Sequence, residues 1–287
     1  MPAPYPLLDM PPGDFKNWFD YQAINMAAAH NSFIQGINSI VSHAPTVSGD
    51  KVEPFLVFSL AVVRIQTPIR AQLTWSKLAG IGRHHDMEED FYFPELEKKL
   101  GKGALAPSVE QHHAFVPQLT QLKEYLEEIK AGKQTYDGPL LVEKIHSFSD
   151  IMINHLNEEI PALESSRMRA VFTEQELQEL DSAFMKRAMG KIDFYTSLPL
   201  SVVCGNPATP WFPPFPTPLK WATRWWFSRR TRKHSFRYMQ RQYPTVPFSI
   251  LPLGSAIATV SICPEHRSGG SLQRMAKLDV PDCLERG

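Results

Sequence analysis

Through the first two-thirds of the chain, apolar residues recur at the three- and four-residue spacing that gathers them on one face of a helix. Five helices are predicted. The first opens after Pro11-Pro12-Gly13 with Asp14 as N-cap and stops before Pro45; Phe19, Met26, Phe33, Ile34, Ile37 and Val41 share its inner face. The second comes in two pieces, 52–65 and 83–100. Thr67-Pro68, Gly80 and Gly82 break the pattern between them, and Gly101-Lys102-Gly103 stops the latter piece. A third starts near Pro107, carries Phe115, Val116, Leu119, Leu122 and Leu126, and ends at Ala131-Gly132. Pro117 should kink it. A fourth runs from about Pro139 to about Pro161 with Ile145, Phe148, Ile151 and Met152 inward. A fifth begins at the capping-box pattern Thr173-Glu174-Gln175-Glu176, continues through Leu177, Leu180 and Phe184, and closes at Gly190.

From Pro199 onward the texture changes. Twelve of the 25 prolines lie there, and Trp211-Phe212-Pro213-Pro214-Phe215-Pro216 excludes helix or central strand, so an extended, poorly ordered tail is expected. Thirty basic and thirty acidic side chains cancel over 287 residues, but unevenly. Between Phe194 and Pro264 there are eight Lys or Arg and no acid, while the residues before Phe194 carry a matching negative excess. The aromatic and basic stretch from Trp221 to Arg241 therefore reads as a tail folding back on an acidic bundle, with weak contact to an anionic membrane surface as the second reading. No specific nucleic-acid binding is expected. Cys204, Cys263 and Cys283 are far apart, which excludes a cysteine zinc site or disulfide scaffold and favours a reducing, cytoplasmic compartment. The apolar run 55–63 is too short to cross a bilayer, the stretch 242–264 is interrupted by prolines, and the N-terminal prolines do not make a secretory signal.

The candidate chemistry is in the histidines. Eight of the ten fall between positions 30 and 155, and three His-x-x-x-Glu pairs occur, His84/Glu88, His85/Glu89 and His155/Glu159. Residues four apart share a helical face, so imidazole and carboxylate can converge on one ion. His30 lies on the apolar face of the first helix, His112 on that of the third and His155/Glu159 on that of the fourth. His113 is turned to the flank, and His43 and His146 read as surface residues. On the second helix either His84/Glu88 or His85/Glu89 could point inward. A lone core-facing histidine is ordinarily a satisfied structural residue. Several from four helices, joined by carboxylates whose unpaired burial is costly, point to a bound cation. Imidazole and carboxylate without thiolate suit iron, manganese or zinc, and two carboxylates on opposite helices suit a bridged pair.

These residues resemble the hemerythrin-like, or HHE cation-binding, family. The resemblance is carried by His30, the block His84-His85-Asp86-Met87-Glu88-Glu89-Asp90-Phe91-Tyr92-Phe93-Pro94, the element Glu110-Gln111-His112-His113, and His155-Leu156-Asn157-Glu158-Glu159. In the family a Phe-Pro stands ten residues after the ligand histidine; Pro94 lies ten after His84, which selects His84/Glu88. The resemblance implies an all-α, up-down four-helix bundle over 14–165; beyond it the residues themselves read as an additional helix packed on the bundle over 166–198 and the tail over 199–287. It implies a non-haem di-iron centre with His30, His84, His112 and His155 as terminal ligands and Glu88 and Glu159 as bridges.

Two departures from the family stand out. Ser108 occupies the position where oxygen carriers place a second histidine on the third helix, and the stretch 67–83 looks inserted. The implied function is binding, sensing or reacting with a small ligand such as dioxygen, nitric oxide or peroxide. The alternatives are a di-metal oxidase or hydrolase, and an interaction protein that has lost its metal because of the insertion.

Overall fold

A computed structural model describes residues 3–63, 81–190, 197–206 and 208–223 of the chain. Helices and their connections account for all of these, with no strand among the described residues. The first helix, α1 (Trp18–His43), starts later than Asp14. Asn17 is its N-cap, and its side-chain oxygen accepts from the N–H groups of Phe19 and Asp20. Asp14 instead holds a tight turn, its carboxylate accepting from Lys16 N–H and its carbonyl from Asn17 N–H.

The second helix is in two pieces, α2 (Val52–Val63) and a later run. The connecting excursion predicted around Thr67-Pro68 lies outside the described residues. The later run is α3 (Ile81–Met87), a π-helical turn (Glu88–Tyr92) and α4 (Phe93–Leu100), ended by Gly101 at φ 98°. Next come α5 (Ala106–Lys130), unbroken at Pro117, and α6 (Gly138–Glu158), capped by Asp137 accepting from Leu140 N–H. Gly138 sits against the end of α1, where a Cβ would fall 2.1 Å from the Ala44 carbonyl oxygen, so only glycine fits.

α1 packs on α2 and α6, and α5 packs on α6, α2 and α3. The two pieces of the second helix thus fill one corner of an up-and-down four-helix bundle. Its interior is layered. One apolar cluster holds Ile34, Ile37, Phe55, Phe115, Leu119, Phe148 and Met152. A second holds Phe19, Met26, Tyr92, Phe93, Leu96, Leu105 and Leu163. Along α1, the α3–α4 run and α5, the histidines and Glu88 fall between residues of one cluster and those packed on the other, while Glu159, just past α6, stands between Leu156 of the first and Leu163 of the second. The predicted stripes are otherwise buried or partly buried, except that Ile151 turns out to solvent at 43% exposure.

The additional helical region resolves into α7 (Ser165–Val171) and α8 (Glu174–Gly190), and both contact α1. α8 begins with the expected capping box: Glu176 Oε2 accepts from Thr173 N–H at 2.9 Å, and Thr173 Oγ1 accepts from Glu176 N–H at 3.3 Å. After Pro199 an extended tail was the expectation, yet α9 (Ser197–Val203) and α10 (Thr217–Ala222) are helical, and Leu200 and Cys204 join the first apolar cluster. Leucines and a thiol at helical spacing outweigh the flanking prolines there. The basic cluster beyond residue 223 lies outside the described residues. Among the described residues no helix is long and apolar enough to cross a membrane.

Candidate metal centre

The layer between the two apolar clusters gathers all six residues singled out from the sequence. His30, Glu88, His112 and His155 are fully buried, Glu159 is nearly so, and the His84 side chain keeps 12% exposure. Glu159 Oε2 lies 3.4 Å from His30 Nε2 and 3.6 Å from His155 Nε2. Glu88 reaches His84 Nε2 with one oxygen at 2.7 Å and His112 Nε2 with the other at 3.7 Å. Each carboxylate therefore stands between a histidine of one pair and a histidine of the other.

A seventh residue joins them. His85 is 2% exposed, and its ring centroid lies 4.3 Å from that of His112 and 5.2 Å from that of His155. Two groups of ligand atoms, each mutually within 4.8 Å, result: His30, His84 and Glu88, and His85, His112 and His155. Helical periodicity alone sets neighbouring residues about 100° apart and forces a choice between His84 and His85. In the fold both point inward, beside the π-helical turn at Glu88–Tyr92, which widens the helix there. The sequence signal for His85 was its place next to His84 in the same block.

Outer partners aim the rings. His30 Nδ1–H donates to the Leu156 carbonyl at 2.8 Å, His112 Nδ1–H to Glu89 at 2.7 Å and His155 Nδ1–H to the Gln111 amide oxygen at 3.0 Å. Gln111 in turn donates its amide N–H to Glu158. With Nδ1 protonated, all three Nε2 atoms present lone pairs to the interior, which is how metal-binding imidazoles are oriented. His112 Nε2 and His155 Nε2 then face each other at 2.9 Å with no proton between them. Two lone pairs at that distance repel unless a cation lies between.

Other polar atoms of the layer are also left without partners. His30 Nε2, His84 Nε2, both ring nitrogens of His85 and all four oxygens of Glu88 and Glu159 are buried and make no hydrogen bond, the close His84–Glu88 and His30–Glu159 approaches lacking hydrogen-bond geometry. Such groups are rare in native interiors. Burial pushes both carboxyls well above their usual range, with the Glu88 charge adding to the effect at Glu159. It pulls the histidines below theirs, His84 to about 4, His155 to about 3 and His112 to about 2, with neighbouring imidazoles adding to the effect at His30, His85 and His112. Burial thus favours the neutral form of every group, protonated carboxyls beside unprotonated imidazoles, whereas a divalent or trivalent cation satisfies lone pairs and carboxylates together.

The remaining expectations sort plainly. His113 is exposed, with Nε2 3.8 Å from Glu89. His146 is on the surface, where its Nδ1 meets the Tyr5 hydroxyl at 2.5 Å. Ser108 is buried on α5 one turn before His112. The stretch at 67–83 does not pull the second helix away from the site, since His84, His85 and Glu88 all reach the layer.

Comparison with known proteins bears on the same region. The family model described as "Hemerythrin HHE cation binding domain" matches residues 25–160. A curated protein of Cryptosporiopsis sp. (strain 8999), "Dimeric xanthone biosynthesis cluster protein R11", is 27% identical over 248 residues, covering 81% of this chain and 84% of its own. No solved structure matches.

Proposed function

This chain belongs, through residues 25–160, to the Hemerythrin HHE cation binding domain family, and on that premise we propose that its cation-binding layer holds a pair of iron ions and takes a small ligand such as dioxygen, nitric oxide or peroxide. His30 and His84 would hold one ion, His85, His112 and His155 would hold the other, and Glu88 and Glu159 would serve both. His85 thereby supplies the imidazole that Ser108 does not. The single observation that carries this reading is the set of buried, partnerless carboxylate oxygens and imidazole nitrogens meeting in one layer. An iron pair would supply Lewis acidity and reversible one-electron steps beside a position open to a diatomic ligand.

The chain's own residues set the conditions for that chemistry. Glu89, Gln111 and the Leu156 carbonyl fix ring orientation and tautomer, so no rotation is needed on loading. The apolar clusters above and below exclude water from the layer, which strengthens every charge interaction inside it. An interaction role without metal would leave the convergence of seven ligand-type side chains without a cause.

A second reading, a di-metal oxidase, is favoured by one specific observation: a cavity reaches His84. The name of the Cryptosporiopsis relative places that protein in a biosynthesis cluster, which suits an enzyme acting on an organic molecule.

Element analysis of protein purified without added metal tests the primary reading. About two iron atoms per chain are expected, with the near-ultraviolet charge-transfer absorption of a ferric pair. A chain that stays without iron after aerobic reconstitution, or takes only zinc, overturns the assignment.

A further inference from the structure

Beside the metal layer, between α1, the α3–π run, α8 and residues 200–215, lies a cavity of about 230 Å³. An apolar cavity of about 150 Å³ is enough for benzene, so this space far exceeds the need of a diatomic ligand. Phe33, Phe184, Phe212 and Phe215 stand among its walls, the rest being mostly methionine, alanine and other apolar side chains. No Lys or Arg lines it, so nothing there compensates an anionic ligand. Its one acid, Asp181, is engaged by the Tyr21 hydroxyl.

Two polar features give the cavity direction. His84 is part of the lining, and it is the member of the metal layer with the most exposed side chain, at 12%. Asn25 also lines it, and its side-chain oxygen is buried with no hydrogen-bond partner. An orphaned acceptor in an apolar wall asks for a donor from a ligand.

We propose that this cavity is a binding site for an uncharged organic molecule of one or two rings bearing a hydroxyl, with the ring among the phenylalanines and the hydroxyl donating to Asn25 Oδ1. The ligand is held at the His84 edge of the layer, within reach of whatever is bound there. This deepens the oxidase reading and rests on it only for the meaning of that proximity; the binding itself stands on the cavity.

Equilibrium dialysis of the full-length, metal-loaded protein with 1-naphthol tests it, with naphthalene, 1-naphthoate and 1-octanol as comparison probes and iron content measured in parallel. Saturable naphthol binding is expected, tighter than that of the other three. Ala188→Phe, which fills the cavity from α8, should weaken it by at least about tenfold with iron content unchanged. Asn25→Leu should weaken naphthol but leave naphthalene as it was. Phe215→Ala, on a different wall, should weaken both, and so serves as the second cavity variant if Ala188→Phe does not fold. Naphthol binding that is absent, that is unmoved by all three substitutions, or that is exceeded by naphthoate or octanol overturns the proposal even if iron is present. Loss of iron with naphthol binding intact would instead overturn the metal reading and leave the cavity assignment standing.

Discussion

The middle layer of the bundle and the apolar cluster beside it are equally dry, and they are held in opposite ways. Phe55, Phe115, Phe148 and Leu122 are fully buried and satisfied by contact with each other. His30, Glu88, His112 and Glu159 are as deeply buried, but contact alone does not satisfy them. Dispersion and desolvation make the first region self-sufficient, whereas in the second every buried charge or lone pair needs a specific partner. Depth of burial is therefore a poor guide to what a residue does for stability. The polar layer is an interior built around something other than protein.

The comparison can be broken most severely in the apolar cluster. Phe148→Ala should destabilise the protein by about 3–5 kcal/mol, by equal amounts with and without metal, as read from denaturant melts of loaded and chelator-stripped samples. A loss confined to the loaded form would mean that the two regions are not separable. In the polar layer the sign should reverse. Glu88→Met keeps the volume and removes a buried carboxyl that has no hydrogen-bond partner, so the stripped protein should gain about 1–3 kcal/mol while the chain loses iron. A stripped variant less stable than stripped wild type would show that Glu88 has a partner other than a cation.

The proton balance sharpens the contrast. In the metal-free fold the imidazoles are already neutral, because burial has lowered their pKa values, while Glu88 and Glu159 are held protonated above the usual carboxylate range. Metal uptake must therefore expel protons from the carboxyls, so the rise in Tm that iron confers should grow as pH increases from 5 to 8. A Tm increment that shrinks over that range would place the protons elsewhere. His85→Ala should lower iron content from two atoms toward one per chain, and adding Ser108→His should restore it, because either position would give the second ion its third imidazole; element analysis of the two variants decides. Away from both regions the effects should be small. Thr173→Ala removes a cap on exposed α8 and should cost about 1 kcal/mol without touching iron content.

Much of the bundle was legible because periodicity and punctuation are local. The Thr173–Glu176 box, the Gly101 stop and Pro107 in the first turn of α5 all act within a few residues of themselves. The first helix was misplaced at its start because Asp14 and Asn17 are both good caps, and only the turn that Asp14 makes with Lys16 and Asn17 assigns the role. The stretch after Pro199 was misjudged for a related reason: proline content argues against helix in isolation, while Leu200 and Cys204 gain a core to pack on. Ile151 was placed inward because it neighbours Met152, a one-residue difference that a stripe of apolar residues does not resolve.

For the site, the amino-acid sequence by itself determined the ligand types, the four-residue pairing of His84 with Glu88 and of His155 with Glu159, and the helices that bear them. These follow from the fixed geometry of one helix. Only the tertiary structure decided that His85 turns inward with His84, that Glu89 and Gln111 aim the rings, and that a cavity meets the layer at His84. Each of those depends on atoms brought together from different helices, and the spacing along any one of them does not encode that distance.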